Sequence, residues 1–204
     1  VFRLYCRTNE HQYFNFPMDE YLIALVDTNV KHQLASSEYN IRRHECEAGV
    51  KYMHRVDASI NSLRDLSLDL LEANKDSLDS SIYKRSHYVI SENLRVLEAT
   101  KALEQEDLVR FGDLMYESHN GLKNEFQVSC EELDMLVDIT KDLDYVIGSR
   151  MMGGGFGGCT INLVKRTSIE EFESKIIKEY KKLSNKEASV YFVNISDGVS
   201  KLEK

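Results

Sequence analysis

The sequence predicts an α+β fold in which a small antiparallel sheet carries a layer of helices on one side. Three short runs with strand-like composition lie towards the two ends of the chain, at residues 21–26, 160–164 and 189–195. Between them, residues 41–140 carry apolar side chains mainly at helical spacing. No internal repeat or low-complexity segment interrupts this order, so helices packed on one sheet are expected.

Further extended segments are predicted at residues 1–6 and 12–16, ahead of Pro17, the only proline. The run at residues 21–26 has the length and flanks of a strand buried on both faces. Residues 29–40 are polar and are predicted to be a connection, with a helix from about Ile41.

The helical region is expected to form antiparallel helices packed through apolar stripes. Two pairs of residues, Ser129 with Glu132 and Ser168 with Glu171, have capping-box spacing and predict helix starts. The stripes predicted to be core include Ile90, Leu94 and Leu97 in one helix and Leu108, Phe111, Met115, Leu122 and Phe126 in the next.

Composition excludes several classes of function. The formal net charge of -8 over 204 residues argues against a nucleic-acid surface, which needs clustered Lys and Arg. No apolar run approaches the roughly 20 residues of a membrane-spanning helix, so no membrane partner and a cytoplasmic location are expected. The four cysteines are widely spaced, which predicts buried free thiols rather than a zinc ribbon or a disulfide framework.

The most unusual feature is a glycine stretch, which places five of the ten glycines on residues 153–158 around Phe156, which gives the stretch one apolar anchor. Its Gly-x-Gly-x-x-Gly spacing formally matches a dinucleotide fingerprint, but that motif must open a helix. The residues that follow, 159–164, are β-branched and apolar, and no Walker A lysine is present. From spacing alone, a ligand-free turn and a role beside phosphate are equally supported.

Four segments carry a family resemblance. The stretch GSRMMGGGFGGCT at residues 148–160 resembles the third signature motif of the GHMP small-molecule kinases, in the form typical of the galactokinase subfamily. Three other segments resemble the same subfamily in the same order: DTNVKHQLASSEYNIRR at 27–43 with ECE at 45–47, HYVISENLRVLEA at 87–99 and YESHNGL at 116–122.

The resemblance implies a two-domain kinase that transfers the γ-phosphoryl group of ATP, with Mg²⁺, to the 1-hydroxyl of galactose. It also implies a C-terminal domain with a ferredoxin-like sheet. Tyr39 matches the tyrosine that contacts the sugar. The third motif is expected to support the phosphate-binding loop through Gly153, Gly154, Gly155, Gly157 and Gly158.

The family's first two motifs and its catalytic aspartate are absent from these residues. The resemblance therefore predicts no catalytic residue and no metal ligand in this chain, and no ATP or Mg²⁺ bound by the chain alone. Because the chain opens at Val1 inside a strand-like segment, we expect a piece cut from a larger protein. Residues 1–20 would be a remnant of the N-terminal domain, and residues 21–204 the C-terminal domain.

Three functions remain open on this basis. The first is that the chain is the C-terminal part of a galactokinase and is inactive without its N-terminal domain. The second is that it belongs to a non-catalytic sensor of sugar and nucleotide. The third is that it belongs to a kinase for another sugar. Other conspicuous residues are expected to have structural roles. These are His32, Arg42 and Arg43 in caps and ion pairs, Asp27 in a hydrogen bond, Arg150 at an edge strand or positioning the glycine stretch, and His87 and His119 in packing.

Overall fold

The computed structural model describes residues 1–31 and 35–195, without the side chains at residues 31 and 35–37. In this part of the chain the strands are β1 (Phe2–Tyr5), β2 (Glu10–Tyr13), β3 (Tyr21–Lys31), β4 (Val146–Met151), β5 (Gly157–Lys165) and β6 (Ser189–Val193). The α-helices are α1 (Ala35–Val56), α2 (Leu68–Ala73), α3 (Ser80–Glu104), α4 (Leu108–Gly121), α5 (Glu131–Thr140) and α6 (Ile169–Ser184).

Four strands form one antiparallel sheet in the order β4, β5, β3, β6. The long strand β3 lies in the centre, where Leu25 pairs with Ile161 of β5 and with Tyr191 of β6. The chain runs from β3 through the helices to the β4–β5 hairpin and then through α6 to β6, which is a β-α-β-β-α-β arrangement. The predicted α+β fold class with a small antiparallel, ferredoxin-like sheet is confirmed.

Helices α5 and α6 cover one face of this sheet. Side chains of β3 alternate, with Ala24 and Val26 fully buried against Phe172 and Ile176 of α6. Ile23 and Leu25, which point to the other face, are only half-buried. The prediction that this strand is buried on both faces was therefore wrong, because an apolar residue at every position does not say what covers each face.

Helix α4 packs on strand β4 with direct contact between the two backbones. A Cβ atom on Gly112 would lie 1.6 Å from the carbonyl oxygen of Ile147, and one on Gly148 would lie 2.7 Å from the Cα of Gly112. Only glycine at both positions allows this distance, since any side chain would push the helix away. The contact fixes the strand that leads into the glycine stretch.

Strands β1 and β2 form a separate hairpin, in which Phe2 pairs with Tyr13. The hairpin is attached to the helical layer by polar contacts: Arg7 donates to Asp65 at 2.8 Å, and Gln12 donates to Glu104 at 3.2 Å. The assignment of residues 1–20 to a different domain from the rest of the chain remains a prediction.

Several local predictions were wrong. Strand β3 extends to Lys31 and α1 begins at Ala35, where a polar connection to about Ile41 was expected. Neither capping box forms, because the N-cap of α5 is Cys130 and Ser168 makes no side-chain hydrogen bond at α6. Ser129 donates instead to Asp134 at 2.6 Å.

Burial also departed from the predictions at some positions. Leu94 and Leu97 lie on an exposed side of α3, whereas Ile90 is buried as expected. All four cysteines are free, but Cys6 is exposed and the other three are half-buried rather than buried. Within residues 1–31 and 35–195, no helix is both long and apolar enough to cross a membrane.

Candidate functional site

The glycine stretch forms the turn between β4 and β5. The N–H of Met152 donates to the carbonyl of Cys159 at 2.9 Å and closes the base of this turn. Between these residues the backbone takes left-handed conformations that side chains rarely adopt. Positive φ angles occur at Gly153 (79°), Gly155 (84°), Phe156 (59°), Gly157 (120°) and Gly158 (82°).

At Gly155 the turn touches another backbone segment of the same chain. A Cβ on Gly155 would lie 2.0 Å from the carbonyl oxygen of Val128, and that oxygen accepts a hydrogen bond of 2.7 Å from the N–H of Phe156. The close approach predicted from the glycines is thus made, at this position, to Val128. At Gly153 and Gly158, by contrast, an added Cβ would meet no atom within 4 Å among the described residues.

Phe156 anchors the turn, as the sequence predicted. Its half-buried ring packs on a cluster of buried side chains contributed by five different segments. These are Tyr88 of α3, Leu122 just after α4, Val128, Leu133 of α5 and Met151 of β4. Burial of the ring offsets the cost of the left-handed backbone at Phe156, so the turn is held from one side.

Tyr39 lies close to the same turn, at the start of α1. Its ring comes 3.9 Å from the position of a Cβ on Gly154, and the side chain is 50% exposed. An exposed phenol can both donate and accept hydrogen bonds, which suits recognition of a polar ligand. The structure therefore brings Tyr39 and the glycine turn together at one surface.

Two arginines of α1 make ion pairs within the helix. Arg42 pairs with Glu38 at 3.4 Å, and Arg43 pairs with Glu47 at 2.8 Å, which confirms the predicted ion pairs. His32 lies outside the described residues. Arg42 also donates from Nε to the carbonyl of Phe126 at 2.9 Å and from Nη2 to that of Gln127 at 3.0 Å.

His119 connects α4, α5 and the end of β4. The N–H of Met151 donates to Nδ1 of the buried His119 ring at 3.2 Å, so the ring hydrogen lies on Nε2, which is 3.2 Å from Asp134 Oδ1. Burial raises the pKa of Asp134, but hydrogen bonds from His119, Ser129 and Lys123 outweigh it and the pKa lies below its ordinary value. His119 therefore does more than pack, because it orders the strand before the turn.

Two of the remaining candidates, Asp27 and Arg150, have the structural roles that the sequence predicted. Asp27 accepts a hydrogen bond of 2.9 Å from the N–H of Asn29. Arg150 lies on the edge strand β4, where it donates to the carbonyl of Met151 at 3.1 Å and pairs with Glu92 at 3.6 Å. His87 departs from its prediction: it was expected to serve packing, but its side chain is part-exposed and pairs with Glu125.

A cavity of about 330 Å³ opens beside the turn, on the face of the sheet opposite to α5 and α6. Its walls are mostly apolar and include Ile23, Ile161, Phe111 and Met152, with Arg150 as the charged group. No group of three or more His, Cys, Asp or Glu side chains within the described ranges is arranged to hold a metal ion.

Two elements of the site were missed by sequence reasoning. Arg85 of α3, which is 4% exposed, donates to Glu45, to the carbonyl of Glu125 and to the side chain of Gln127. An arginine two residues before the HYVISEN segment carried no signal of burial. Val128 contributes its backbone carbonyl. Because every residue type has this group, the sequence pattern could not indicate its role.

The chain is similar to known proteins in sequence and in fold. Residues 99–182 match the family model "GHMP kinases C terminal". Curated galactokinases of Clostridium beijerinckii and Clostridium acetobutylicum are each 42% identical over 198 residues, which is 97% of this chain and 51% of each relative. A crystal structure of Lactococcus lactis galactokinase complexed with galactose superimposes with a TM-score of 0.92 at 34% identity, over 98% of this chain and 52% of that one.

The chain thus spans about half the length of the curated relatives it matches. The match extends beyond the family model to the hairpin and α1, since it covers nearly the whole chain. The chain contains a GHMP kinase C-terminal domain and is homologous to galactokinases over the half of their length that it spans.

Proposed function

We propose that this chain is the C-terminal half of an ATP-dependent galactokinase, which phosphorylates the 1-hydroxyl of galactose to give galactose 1-phosphate. The observation that carries the proposal is the agreement of nearly the whole chain, in sequence and in fold, with one half of galactokinases. The phosphate-binding loop, the catalytic aspartate and the metal ligands would lie in the other half. The cytoplasmic location remains a prediction.

In this proposal the chain contributes positioning rather than a reacting group. Phosphoryl transfer depends mainly on alignment of the two substrates and on stabilisation of charge. The glycine turn would lie against the phosphate-binding loop of the N-terminal half. The space beside Gly153 and Gly158 supports this arrangement, because no described residue has an atom within 4 Å of a Cβ added at either glycine.

Tyr39 would form part of the galactose site. The Tyr39 side chain is 50% exposed and its ring lies next to the glycine turn, so a sugar bound there would lie close to the phosphate-binding loop. A hydroxyl that hydrogen-bonds a sugar favours the sugar over analogues without the matching group. In this proposal the ligands of Mg²⁺ come from the other half of the kinase, and we assign none of the described residues to the metal.

The test compares three samples in an assay that measures the ADP released when galactose is phosphorylated. These are the natural protein that contains this chain, the chain alone, and the chain coexpressed with the preceding half. We expect turnover in the first and third samples and none in the second. Turnover by the chain alone would contradict the assignment of the catalytic groups.

The same assay separates the alternatives. Binding of galactose and ATP without turnover in the complete protein, measured by calorimetry, would favour a sensor. Turnover with another hexose and not with galactose would favour a kinase of different specificity. Either result would overturn the proposal.

A further inference from the structure

The segment that supports the glycine turn is itself held by two arginines. Residues Leu122–Phe126 form a π-helical turn that extends α4, and Gln127 then adopts a left-handed conformation with φ of 55°. This reversal turns the backbone so that Val128 presents its carbonyl to Gly155 and Phe156. A non-glycine residue in this conformation costs about 1 kcal/mol or more and needs support from its surroundings.

Arg85 and Arg42 supply that support. Arg85 Nη2 lies 2.7 Å from the side-chain oxygen of Gln127, and Nη1 donates to the carbonyl of Glu125. Arg42 donates to the carbonyls of Phe126 and Gln127. Successive residues of the reversal are therefore fixed by guanidinium groups from two different helices, α3 and α1.

Glu45 joins the two arginines. Its Oε2 accepts from Arg85 Nε at 2.8 Å and lies 3.7 Å from Arg42 Nη1. The carboxylate compensates charge that would otherwise be costly to bury, since the Arg85 side chain is almost inaccessible. The planar guanidinium of Arg85 reaches Glu45, Glu125 and Gln127 at once, which an ammonium group at the same place could not do.

We propose that the Arg42–Glu45–Arg85 cluster positions the glycine turn of the kinase by fixing the Val128 carbonyl on which Gly155 and Phe156 rest. None of the three residues is at the exposed surface shared by Tyr39 and the turn, so they act through the backbone of residues 125–128. The role in catalysis rests on the proposed function, whereas the mechanical link from the arginines to Phe156 does not.

The alternative is that the cluster only joins α1 to α3. An Arg85→Lys variant distinguishes the two, because lysine keeps the charge facing Glu45 but loses the fork that reaches Gln127. We expect this variant to unfold near the wild-type temperature. We also expect its Phe156 amide, normally protected by Val128, to exchange with solvent about tenfold faster or more.

Two further variants in the complete natural protein sharpen the test. Arg42→Gln removes the donors to Phe126 and Gln127 from a site closer to the surface, and should also accelerate exchange at Phe156. Arg110→Gln is the matched control, since Arg110 pairs with Glu98 of α3 and Glu117 of α4 and makes no ion pair with the reversal. It should leave exchange at Phe156 unchanged.

Kinetics provide the second measurement. We expect the Arg85 and Arg42 variants to lower kcat for galactose phosphorylation about tenfold with a smaller change in the galactose KM, because the sugar contact at Tyr39 is untouched. Folded variants with wild-type exchange at Phe156 would overturn the inference. Faster exchange in a protein that has no kinase activity even as wild type would overturn the proposed function and leave the mechanical link intact.

Discussion

The carbonyl oxygen of Val128 lies only 2.0 Å from the position that a Cβ on Gly155 would occupy. Because φ at Gly155 is also 84°, an alanine there faces both a backbone clash and an unfavourable conformation. We expect Gly155→Ala to lower the free energy of unfolding by about 2 kcal/mol and to abolish galactose phosphorylation by the complete protein. Urea denaturation and the coupled assay measure the two effects.

Gly154→Ala is the control for stability. Gly154 has no positive φ, and the nearest heavy atom to its Cβ position is Tyr39 Cδ2 at 3.9 Å, an ordinary contact distance. Its free energy of unfolding should stay within about 0.5 kcal/mol of wild type. Equal destabilisation by the two alanines would show that the contact with Val128 is not what requires glycine at 155.

Sequence reasoning located the turn but not its partner. Glycines at 153–158 indicate close approach, whereas the carbonyl of Val128 is common to every residue type and has no pattern. Leu94 and Leu97 illustrate the same limit in the fold: helical periodicity identified an apolar face, but no periodicity says whether another element covers it. The early start of α1 was missed because its first residues are polar and the apolar signal begins only later.

Helices α1 and α3 approach closely at Gly49 and Ser86. A Cβ on Gly49 would lie 2.4 Å from Ser86 Oγ but 3.7 Å from Ser86 Cβ, so the hydroxyl alone creates the conflict. This hydroxyl is buried and has no hydrogen-bond partner among the described residues. Ser86→Ala should therefore be neutral or stabilising by up to about 1 kcal/mol.

Combining the two substitutions gives a sharper expectation. Gly49→Ala alone should destabilise by about 1 kcal/mol through overpacking. In the Ser86→Ala background it should instead stabilise by about 0.5–1 kcal/mol, because alanine favours a helix more than glycine does. Urea denaturation of the four proteins yields the coupling energy, and additive effects would contradict the close contact.

Asp134 should make stability depend on pH. Its folded pKa lies below the ordinary value of about 3.9, because hydrogen bonds from His119, Ser129 and Lys123 outweigh burial. A lowered pKa stabilises the fold above the unfolded pKa, and this stabilisation is lost as pH falls through the folded pKa. Asp134→Asn should cost about 1–2 kcal/mol near neutral pH, and the difference should shrink below about pH 4.

Thermal unfolding of wild type and Asp134→Asn across this pH range measures the effect. Asp138→Asn is the matched control on the same helix, since Asp138 is exposed and, among the described residues, its ion pair is with the neighbouring Lys141. Exposed pairs contribute little, so this variant should track wild type at every pH. A pH-independent difference for Asp134→Asn would show that its charge is not responsible.

Tyr39 provides the most direct test of ligand binding by this half of the kinase. In the complete protein, Tyr39→Phe should raise the galactose KM about tenfold and leave the ATP KM nearly unchanged, because one hydroxyl to the sugar is lost while the ring beside Gly154 remains. Tyr191→Phe is a suitable control, since Tyr191 is similarly exposed at 54% but lies on β6. Steady-state kinetics with each substrate varied in turn measures both constants, and an unchanged galactose KM in Tyr39→Phe would remove Tyr39 from the sugar site.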